Sequence, residues 1–223
     1  MRIIKRGIDT KRGYTNPMCA CIGYFDGMHK GHQQLIRHTI AMSKRLHCES
    51  ALITFDPDPW VTIKHIKDVK HITTMRERIN RAVEYGIQNI IILQFTSEFS
   101  QLSPEDFVNE ILSKISLKGI VCGFDFHYGA MGKGSAETLK QTEGLEVDVV
   151  EAIEDETGKI SSTRISQCIE SGNIEEANAM LGYRFRISGI VVHGRHQGHA
   201  IGFPTANVQY DSEYLLPKSG VYA

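Results

Sequence analysis

Short apolar runs alternate with amphipathic stretches over the first 150 residues of the chain. Residues 31–46 place apolar side chains three or four positions apart, which is the spacing of one buried helix face. Runs that are apolar throughout predict buried strands, and they lie at residues 18–25, 50–55, 87–95, 119–123 and 145–150. Buried strands separated by helices are typical of a parallel sheet that is covered on both faces, so the pattern predicts an α/β fold.

Two more helices in this region are predicted by their capping residues. Thr74 and Glu77 have the spacing of a capping box, and Gly86 is suited to end the helix that begins there. Ser103 is a favourable N-cap, and Pro104 fits the first helical position after it. Both helices fall between predicted strands, as the crossovers of a parallel sheet require.

The pattern changes after residue 154. Residues 161–171 and 174–181 predict two short helices, whereas residues 186–192 predict a strand followed by a loop rich in glycine and histidine. We therefore expect two domains, at residues 1–183 and 184–223. The second has about 40 residues, which is near the size below which a domain seldom folds alone.

Composition narrows the class of protein. The formal net charge of -1 argues against a general nucleic-acid binder, which normally has a basic surface. No apolar run approaches the ~20 residues of a membrane span, and no apolar segment follows the basic start of the chain. The five cysteines include no Cys-x-x-Cys pair, which favours reduced thiols. We expect a cytoplasmic protein with small-molecule partners and without nucleic-acid or membrane partners; no particular oligomeric state is indicated.

The strongest candidate site is the turn between the first predicted strand and the helix after it. Gly23 and Gly27 permit a tight turn and a close approach of a ligand to the backbone. Gly31 opens the helix, whose free N–H groups favour an anion, and His29 and His32 lie at the same positive end. The combination predicts a phosphate site that stabilises charge in a transition state, and hence a nucleotidyl-transfer enzyme.

Two other interpretations of this turn remain open. A helix can begin with histidines that bind nothing, and a pair of histidines can belong to a zinc site. Two histidines, two flanking glycines and an aspartate within one short turn argue against the first interpretation. The absence of a convincing third ligand in the sequence argues against the second.

Two later segments add candidate contacts. Ser161, Ser162 and Thr163 precede Arg164 at a predicted helix start. Hydroxyls, N–H groups and a guanidinium can bind phosphate there, although a capped surface helix has the same pattern. Aromatic residues alternate around Asp125, which suits either a flat ring ligand or a strand end with core aromatics.

The segment at residues 194–207 is rich in glycine and ends in Pro-Thr-Ala-Asn. Oxygens of Thr205 and Asn207 could bind phosphate and a divalent ion, but the segment also fits a long polar β-loop. The Gly-Lys-Gly-Ser sequence around Lys133 departs from the Walker pattern, so a P-loop NTPase is excluded.

Taken in order, these segments resemble the motifs of the bacterial bifunctional riboflavin kinase/FMN adenylyltransferases, also called prokaryotic FAD synthetases. The turn is similar to the family's Gly-x-Phe-Asp-Gly-x-His-x-Gly-His signature. Four more segments are similar to Thr-Phe-x-Pro-x-Pro, Gly-x-Asp-Phe-x-Phe-Gly, Ile-Ser-Ser-Thr-x-Ile and Pro-Thr-Ala-Asn, and they lie at residues 54–59, 123–129, 160–165 and 202–207. His-x-Gly-His alone also fits cytidylyltransferases and pantetheine-phosphate adenylyltransferases, whereas the set of five is more specific.

The resemblance implies a Rossmann-like parallel-sheet nucleotidyltransferase domain of the HxGH type, followed by the first strands of an incomplete β-barrel. It implies transfer of AMP from ATP to FMN with Mg²⁺, which yields FAD and pyrophosphate, and phosphorylation of riboflavin in a full-length version. The residues expected to be catalytic are His29, His32 and Arg164. The expected nucleotide contacts are Gly23, Tyr24, Phe25, Asp26, Gly31, Ser161, Ser162 and Thr163. The expected flavin contacts are Asp125, Phe126 and Tyr128, and the expected ATP and Mg²⁺ contacts of the kinase fragment are Thr205 and Asn207.

Two departures from the family pattern concern the kinase. The family's barrel extends well beyond Tyr222 and carries its catalytic base there, so we expect this chain to lack kinase activity. His199 stands where the family usually has arginine, which removes an always charged phosphate donor. Two other functions stay open, namely another small-molecule nucleotidyltransferase such as a cytidylyltransferase, and a non-catalytic flavin- or nucleotide-binding module.

Overall fold

The structure is a computed structural model that describes residues 2–8, 16–194 and 205–222. Its strands, in chain order, are β1 (Arg2–Arg6), β2 (Met18–Ile22), β3 (Glu49–Asp56), β4 (Asn89–Gln94), β5 (Leu117–Gly123), β6 (His127–Tyr128), β7 (Gly134–Ser135), β8 (Glu146–Val150), β9 (Glu154–Asp155), β10 (Gly158–Lys159), β11 (Gly189–Val192) and β12 (Asn207–Tyr210). Six of them form a wholly parallel sheet in the order β1-β4-β3-β2-β5-β8. The predicted parallel α/β fold is therefore confirmed.

Helices connect these strands. They are α1 (Lys30–Arg45), α2 (Pro59–Lys64), α3 (Met75–Glu84), α4 (Ser97–Ser100), α5 (Pro104–Asp106), α6 (Ala136–Leu139), α7 (Ser162–Ser171) and α8 (Ile174–Leu181). A π-helical turn at Phe107–Leu112 continues α5, and a 3₁₀ turn at Asp26–Met28 lies between β2 and α1. The helices predicted from periodicity and from caps all exist, with ends shifted by a few residues at most.

The caps show where local sequence determines structure and where tertiary contacts intervene. The Thr74 hydroxyl accepts a hydrogen bond from the Glu77 N–H, and the Ser103 hydroxyl accepts one from the Asp106 N–H, as predicted. The other half of the capping box at Thr74 is not formed: Oε1 of Glu77 accepts a hydrogen bond from the Ser188 hydroxyl at 3.1 Å, and its buried Oε2 has no partner among the described residues. A residue of the C-terminal segment thus uses the carboxylate that would have completed the cap.

Alternation along β2 explains why its apolar run is continuous. Met18, Ala20 and Ile22 belong to the core on one side of the sheet, whereas Cys19 and Cys21 belong to the core on the other. The strand ends at Ile22, earlier than predicted. The chain leaves the extended conformation soon afterwards, and Phe25 is left-handed with a φ of 61°.

Strand β1 was missed by the sequence analysis. Its sequence is basic and only five residues long, and it lies at the edge of the sheet, where Ile3 is half exposed. An edge strand of this kind lacks the continuous apolar run by which the other strands were found.

The order of the strands positions the site. The chain builds from β2 through β3 to β4 in one direction, and then returns to the other side of β2 with β5 and β8. In open parallel sheets, ligands bind beyond the carboxyl ends of the strands at such a reversal. Strands β11 and β12 form a separate antiparallel pair, and no helix within the described ranges is long and apolar enough to cross a membrane.

Candidate active site

A cavity of about 1020 Å³ lies at the predicted reversal point. Its wall includes Ile22 at the end of β2, Gly123 at the end of β5 and Val150 at the end of β8. Small-molecule sites typically enclose roughly 300–1,000 Å³, so the cavity lies at the upper end of that range.

Two helix N-termini meet at this cavity. Gly31 and His32 in the first turn of α1 line it, and so do Ser161 and Ser162 at the start of α7. The first N–H groups of a helix have no acceptor within the helix and carry partial positive charge, so each end is an anion-binding element. The residues predicted to bind phosphate at the starts of α1 and α7 thus line the same cavity.

The two histidines of the turn stack against each other. The ring centroids of His29 and His32 lie 3.7 Å apart, and the edge of the Phe25 ring packs on His32. Both Nδ1 atoms are buried and have no hydrogen-bond partner among the described residues. Buried polar atoms are normally paired, so these two nitrogens depart from the usual pattern, as do Glu77 Oε2 and Arg81 Nε.

Burial decides the charge of this pair. Loss of solvent lowers the pKa of His29 to about 4, with the nearby Asp26 opposing the shift and Lys159 adding to it. Burial, then the neighbouring His29 and Arg78, lower the pKa of His32 well below its ordinary value. Both imidazoles are therefore neutral near neutral pH, and they can act on phosphate as N–H donors rather than as cations.

The side chain of Asp26 stabilises the turn through hydrogen bonds to residues 72, 73 and 78. Its buried carboxylate accepts hydrogen bonds from the Ile72 and Thr73 N–H groups, the Thr73 hydroxyl and the Arg78 guanidinium, at 3.0–3.3 Å. Burial alone would raise the pKa of this carboxyl, but the neighbouring His71, Arg78 and Thr73 keep it below its usual value. The Asp26 carbonyl accepts a hydrogen bond of 2.8 Å from the Ser162 hydroxyl, which ties the turn to α7.

The residues predicted to contact nucleotide are thus only partly brought together. Gly23 and Tyr24 line the cavity, whereas the Phe25 and Asp26 side chains support the turn from within the protein. Gly27 must be glycine, because its φ is 76° and a Cβ there would meet Ile72 at 3.0 Å.

Arg164 does not line the cavity. Its guanidinium donates to the Gly158 and Lys159 carbonyl oxygens at 2.9 and 3.0 Å and pairs with the Asp155 carboxylate at 2.8 Å. These partners form the β9–β10 hairpin, so Arg164 fastens that hairpin to α7. Thr163, on the same helix turn, is exposed and also lies outside the cavity wall.

The hairpin presents a residue that the sequence analysis missed. Lys159 lines the cavity, forms a close ion pair with Asp125 and lies 4.7 Å from the centroid of the Phe124 ring. In the sequence it is an isolated lysine, and the one available signal is its position just before Ser161 and Ser162. Lys159 therefore adds a positive charge to the predicted phosphate site, whose two histidines are neutral.

A second part of the cavity wall is aromatic. Phe126 and Tyr128 stack with ring centroids 5.9 Å apart, and Asp125 lies beside them at the cavity wall, so the three expected flavin contacts are gathered. The aromatic wall continues through Phe107, Phe99, Phe95 and Phe55, each within 6.0 Å of the next. Trp60, half exposed at the start of α2, also lines the cavity.

The residues expected to bind ATP and Mg²⁺ in the kinase fragment are elsewhere. Thr205 and Asn207 are exposed and outside the cavity wall, and Asn207 begins β12. His199 and the phenylalanine and proline before Thr205 lie outside the described residues. Within the described ranges, no three or more metal-ligating side chains cluster.

Comparison with known proteins identifies both parts of the chain. The family model for FAD synthetase matches residues 11–164, and the model for riboflavin kinase matches residues 181–223. A crystal structure described as a macrolide-efflux protein from Streptococcus pneumoniae superposes with a TM-score of 0.90 at 35% identity, covering 98% of this chain and 73% of the other.

Two curated relatives are named bifunctional riboflavin kinase/FMN adenylyltransferase. The protein from Listeria monocytogenes is 40% identical and that from Bacillus subtilis 36% identical, each over 205 residues and 91% of this chain. The chain spans 65% of the length of each of them. With more than half of its residues matched by the family model, the chain belongs to the FAD synthetase family.

Proposed function

We propose that this protein transfers AMP from ATP to FMN, forming FAD and releasing pyrophosphate. One observation carries the proposal: a single cavity combines two helix N-termini and two neutral imidazoles with an aromatic wall. The first set of groups suits phosphates, and the second suits a flat ring. The names of the curated relatives support the same reaction.

In this reaction a phosphate oxygen of FMN attacks the α-phosphorus of ATP, and the bond from that phosphorus to the pyrophosphate oxygen breaks. Catalysis then depends on positioning and on stabilising charge, without a covalent intermediate. We assign His29 and His32 to the α-phosphate, where neutral N–H donors stabilise the charge that develops on its oxygens. The backbone of Gly23 and Tyr24 contacts the nucleotide next to them.

The β- and γ-phosphates are assigned to the part of the cavity that lies at the start of α7. The N–H groups at the start of α7, with Ser161, Ser162 and Lys159, hold the leaving pyrophosphate. Arg164 takes a positioning role, because it binds the hairpin that carries Lys159. Mg²⁺ commonly binds through one or two carboxylates plus substrate phosphates, and Glu151 lines the cavity, so its carboxylate could hold the ion together with the substrate phosphates.

The flavin is assigned to the aromatic part of the cavity wall. Phe126 and Tyr128 offer ring faces, and Asp125 offers a hydrogen-bond acceptor beside them.

We also propose that residues 1–183 carry out adenylylation and that residues 184–223 are a fragment of a kinase domain. We place the protein in the cytoplasm because its five cysteines are free thiols.

Incubation with ATP, Mg²⁺ and FMN, followed by chromatography, tests the proposal through the appearance of FAD and pyrophosphate. CTP in place of ATP tests a cytidylyltransferase, and riboflavin in place of FMN tests the kinase. Flavin binding without turnover would support a binding module, and turnover of another acceptor without FMN binding would replace FMN as the substrate.

A further inference from the structure

Two cysteines that are far apart in the sequence touch in the structure. The Sγ atoms of Cys19 and Cys48 lie 3.1 Å apart. Cys19 is the second residue of β2 and is fully buried, whereas Cys48 lies just before β3 and is partly exposed. The pair is therefore reachable from solvent through one of its two members.

The backbone around the pair is held by the sheet. The N–H of Glu49, which follows Cys48, donates to the Pro17 carbonyl at 3.1 Å, and the N–H of Cys48 itself donates to the Ser43 carbonyl at 3.0 Å. Parallel pairing of β2 with β3 continues from there. The strand register pairs Cys19 with Ser50, two residues after Cys48, so the two sulfurs meet diagonally across the strands, and a disulfide requires them to approach by roughly 1 Å more.

We propose that Cys19 and Cys48 form a reversible disulfide when the protein reacts with hydrogen peroxide. This inference does not depend on the proposed reaction. The two residues lie at the amino ends of their strands, which is the edge of the sheet opposite the cavity.

The chemistry proceeds in two balanced steps. The Cys48 thiol, which solvent can reach, is oxidised by hydrogen peroxide to a sulfenic acid with release of one water. The Cys19 sulfur then attacks the Cys48 sulfur, a second water leaves with the Cys19 proton, and the S–S bond forms. In sum, two thiols lose two hydrogen atoms and one peroxide is reduced to two waters.

The environments of the two thiols fix the order of these steps. Burial, with the neighbouring Cys48, raises the pKa of Cys19 above its ordinary value, so Cys19 is a poor first target for an oxidant. The same shift lowers the thiolate fraction of Cys19 in the second step, and the contact between the two sulfurs offsets this because Cys19 needs no diffusional encounter.

The bond closes a covalent loop around the proposed catalytic turn. Residues 19 to 48 include the rest of β2, the turn with His29 and the whole of α1. Cross-linking a loop of this length reduces the conformational entropy of the unfolded chain. We expect the thermal midpoint of the oxidised protein to rise by roughly 5–10 °C.

Peptide mapping tests the bond directly. The reduced protein is treated with hydrogen peroxide, its remaining thiols are alkylated, and the digest is analysed by mass spectrometry with and without a later reducing step. We expect one cross-linked peptide pair containing Cys19 and Cys48, lighter by two hydrogen atoms and separated by dithiothreitol. Thermal unfolding of the same samples should show the rise in midpoint.

Variants make the assignment specific. Cys48→Ser should abolish the cross-link and the rise in midpoint, whereas the matched control Cys168→Ser should keep both. The proposal is overturned if both thiols are alkylated after peroxide treatment, if Cys48 is found as a sulfinic acid, or if either residue pairs with another cysteine. The mapping of the unaltered protein decides the question even if a variant does not fold.

Discussion

At the scale of single residues, the pair His29 and His32 combines two properties that lower the stability of the folded protein. Each ring is buried with an unpaired nitrogen, and each is neutral near neutral pH. An unpaired buried polar atom costs roughly 1–3 kcal/mol, so this arrangement is hard to explain by stability alone. Both rings line the cavity, where an N–H group of a neutral imidazole can donate a hydrogen bond to a phosphate oxygen during the reaction.

Replacing His32 with alanine removes one of these donors. If His32 stabilises the transition state, FAD formation should slow by roughly 10²–10³ in kcat, because one such donor is worth about that much. His32→Gln, whose amide can donate, should recover part of the loss. His38→Ala is the matched control, since His38 is on the same helix but outside the cavity wall. A folded His32→Ala protein with unchanged kcat would remove His32 from the mechanism.

The lowered pKa of His29 predicts how stability depends on pH. Between its ordinary value of 6.5 and the folded value of about 4, the unfolded chain binds a proton that folded His29 does not. Stability contributed by neutral His29 is therefore present above pH 6.5 and is lost as the pH falls toward 4, by up to about 3 kcal/mol.

Denaturant unfolding of the unaltered protein and of His29→Gln measures this contribution. The free energy of unfolding of the variant should fall less steeply from pH 6.5 to 4, because glutamine does not titrate. Above pH 7 the difference between the two proteins should no longer change with pH. Parallel curves through the acid range would mean that folded His29 binds a proton as readily as the unfolded chain does.

At the scale of elements, the site is made by α1, α7 and the β9–β10 hairpin. Arg164 joins the last two, since its guanidinium binds both hairpin carbonyls and Asp155. Arg164→Ala should free the hairpin, displace Lys159 and raise the KM for ATP about tenfold, with a smaller effect on kcat. Arg164→Lys should rescue little, because an ammonium cannot reproduce the guanidinium fork.

A double-mutant cycle separates positioning from direct contact. If Arg164 acts through Lys159, Arg164→Ala should change the KM for ATP little once Lys159→Met is present. Additive effects of the two substitutions would instead mean that Arg164 contacts the nucleotide by itself.

The elements also show how far the sequence predicts this site. Helix α1, helix α7 and strand β2 were found because continuous apolar runs and capping residues are local signals. The position of Lys159 was not found, because it depends on a hairpin of two-residue strands and on an ion pair with Asp125, which is distant in the sequence. The same limit applies to Cys19 and Cys48, whose contact depends on strand register.

At the scale of the whole molecule, residues 213–215 pack against residues 71–73, which stabilise the proposed catalytic turn through Asp26. The His71 backbone pairs with the segment around Tyr214, accepting from the Leu215 N–H at 2.7 Å. Thr73, two residues after His71, holds the Asp26 carboxylate. The two regions matched by separate family models are therefore in contact through the residues that shape the turn.

Tyr183 makes the most direct of these connections. It lies at the predicted domain boundary, and its hydroxyl donates a hydrogen bond of 2.6 Å to the carbonyl oxygen of Gly27. The Arg81 guanidinium lies 3.3 Å from the centroid of its ring, which fixes the side chain. Gly27 lies two residues before His29, so this hydrogen bond helps to position the turn that carries His29.

Tyr183→Phe removes the hydroxyl and keeps the ring. The loss of one hydrogen bond is worth about 0.5–1.5 kcal/mol, so kcat/KM for FAD formation should fall roughly two- to tenfold. Tyr210→Phe is the matched control, because Tyr210 lies in exposed β12. An unchanged kcat/KM for Tyr183→Phe would mean that Thr73 and Ser162 suffice to hold the turn. A fall in kcat/KM that is confined to Tyr183→Phe would mean that Tyr183 stabilises the turn. The predicted domain boundary would then lie at a residue that the first domain needs for its activity.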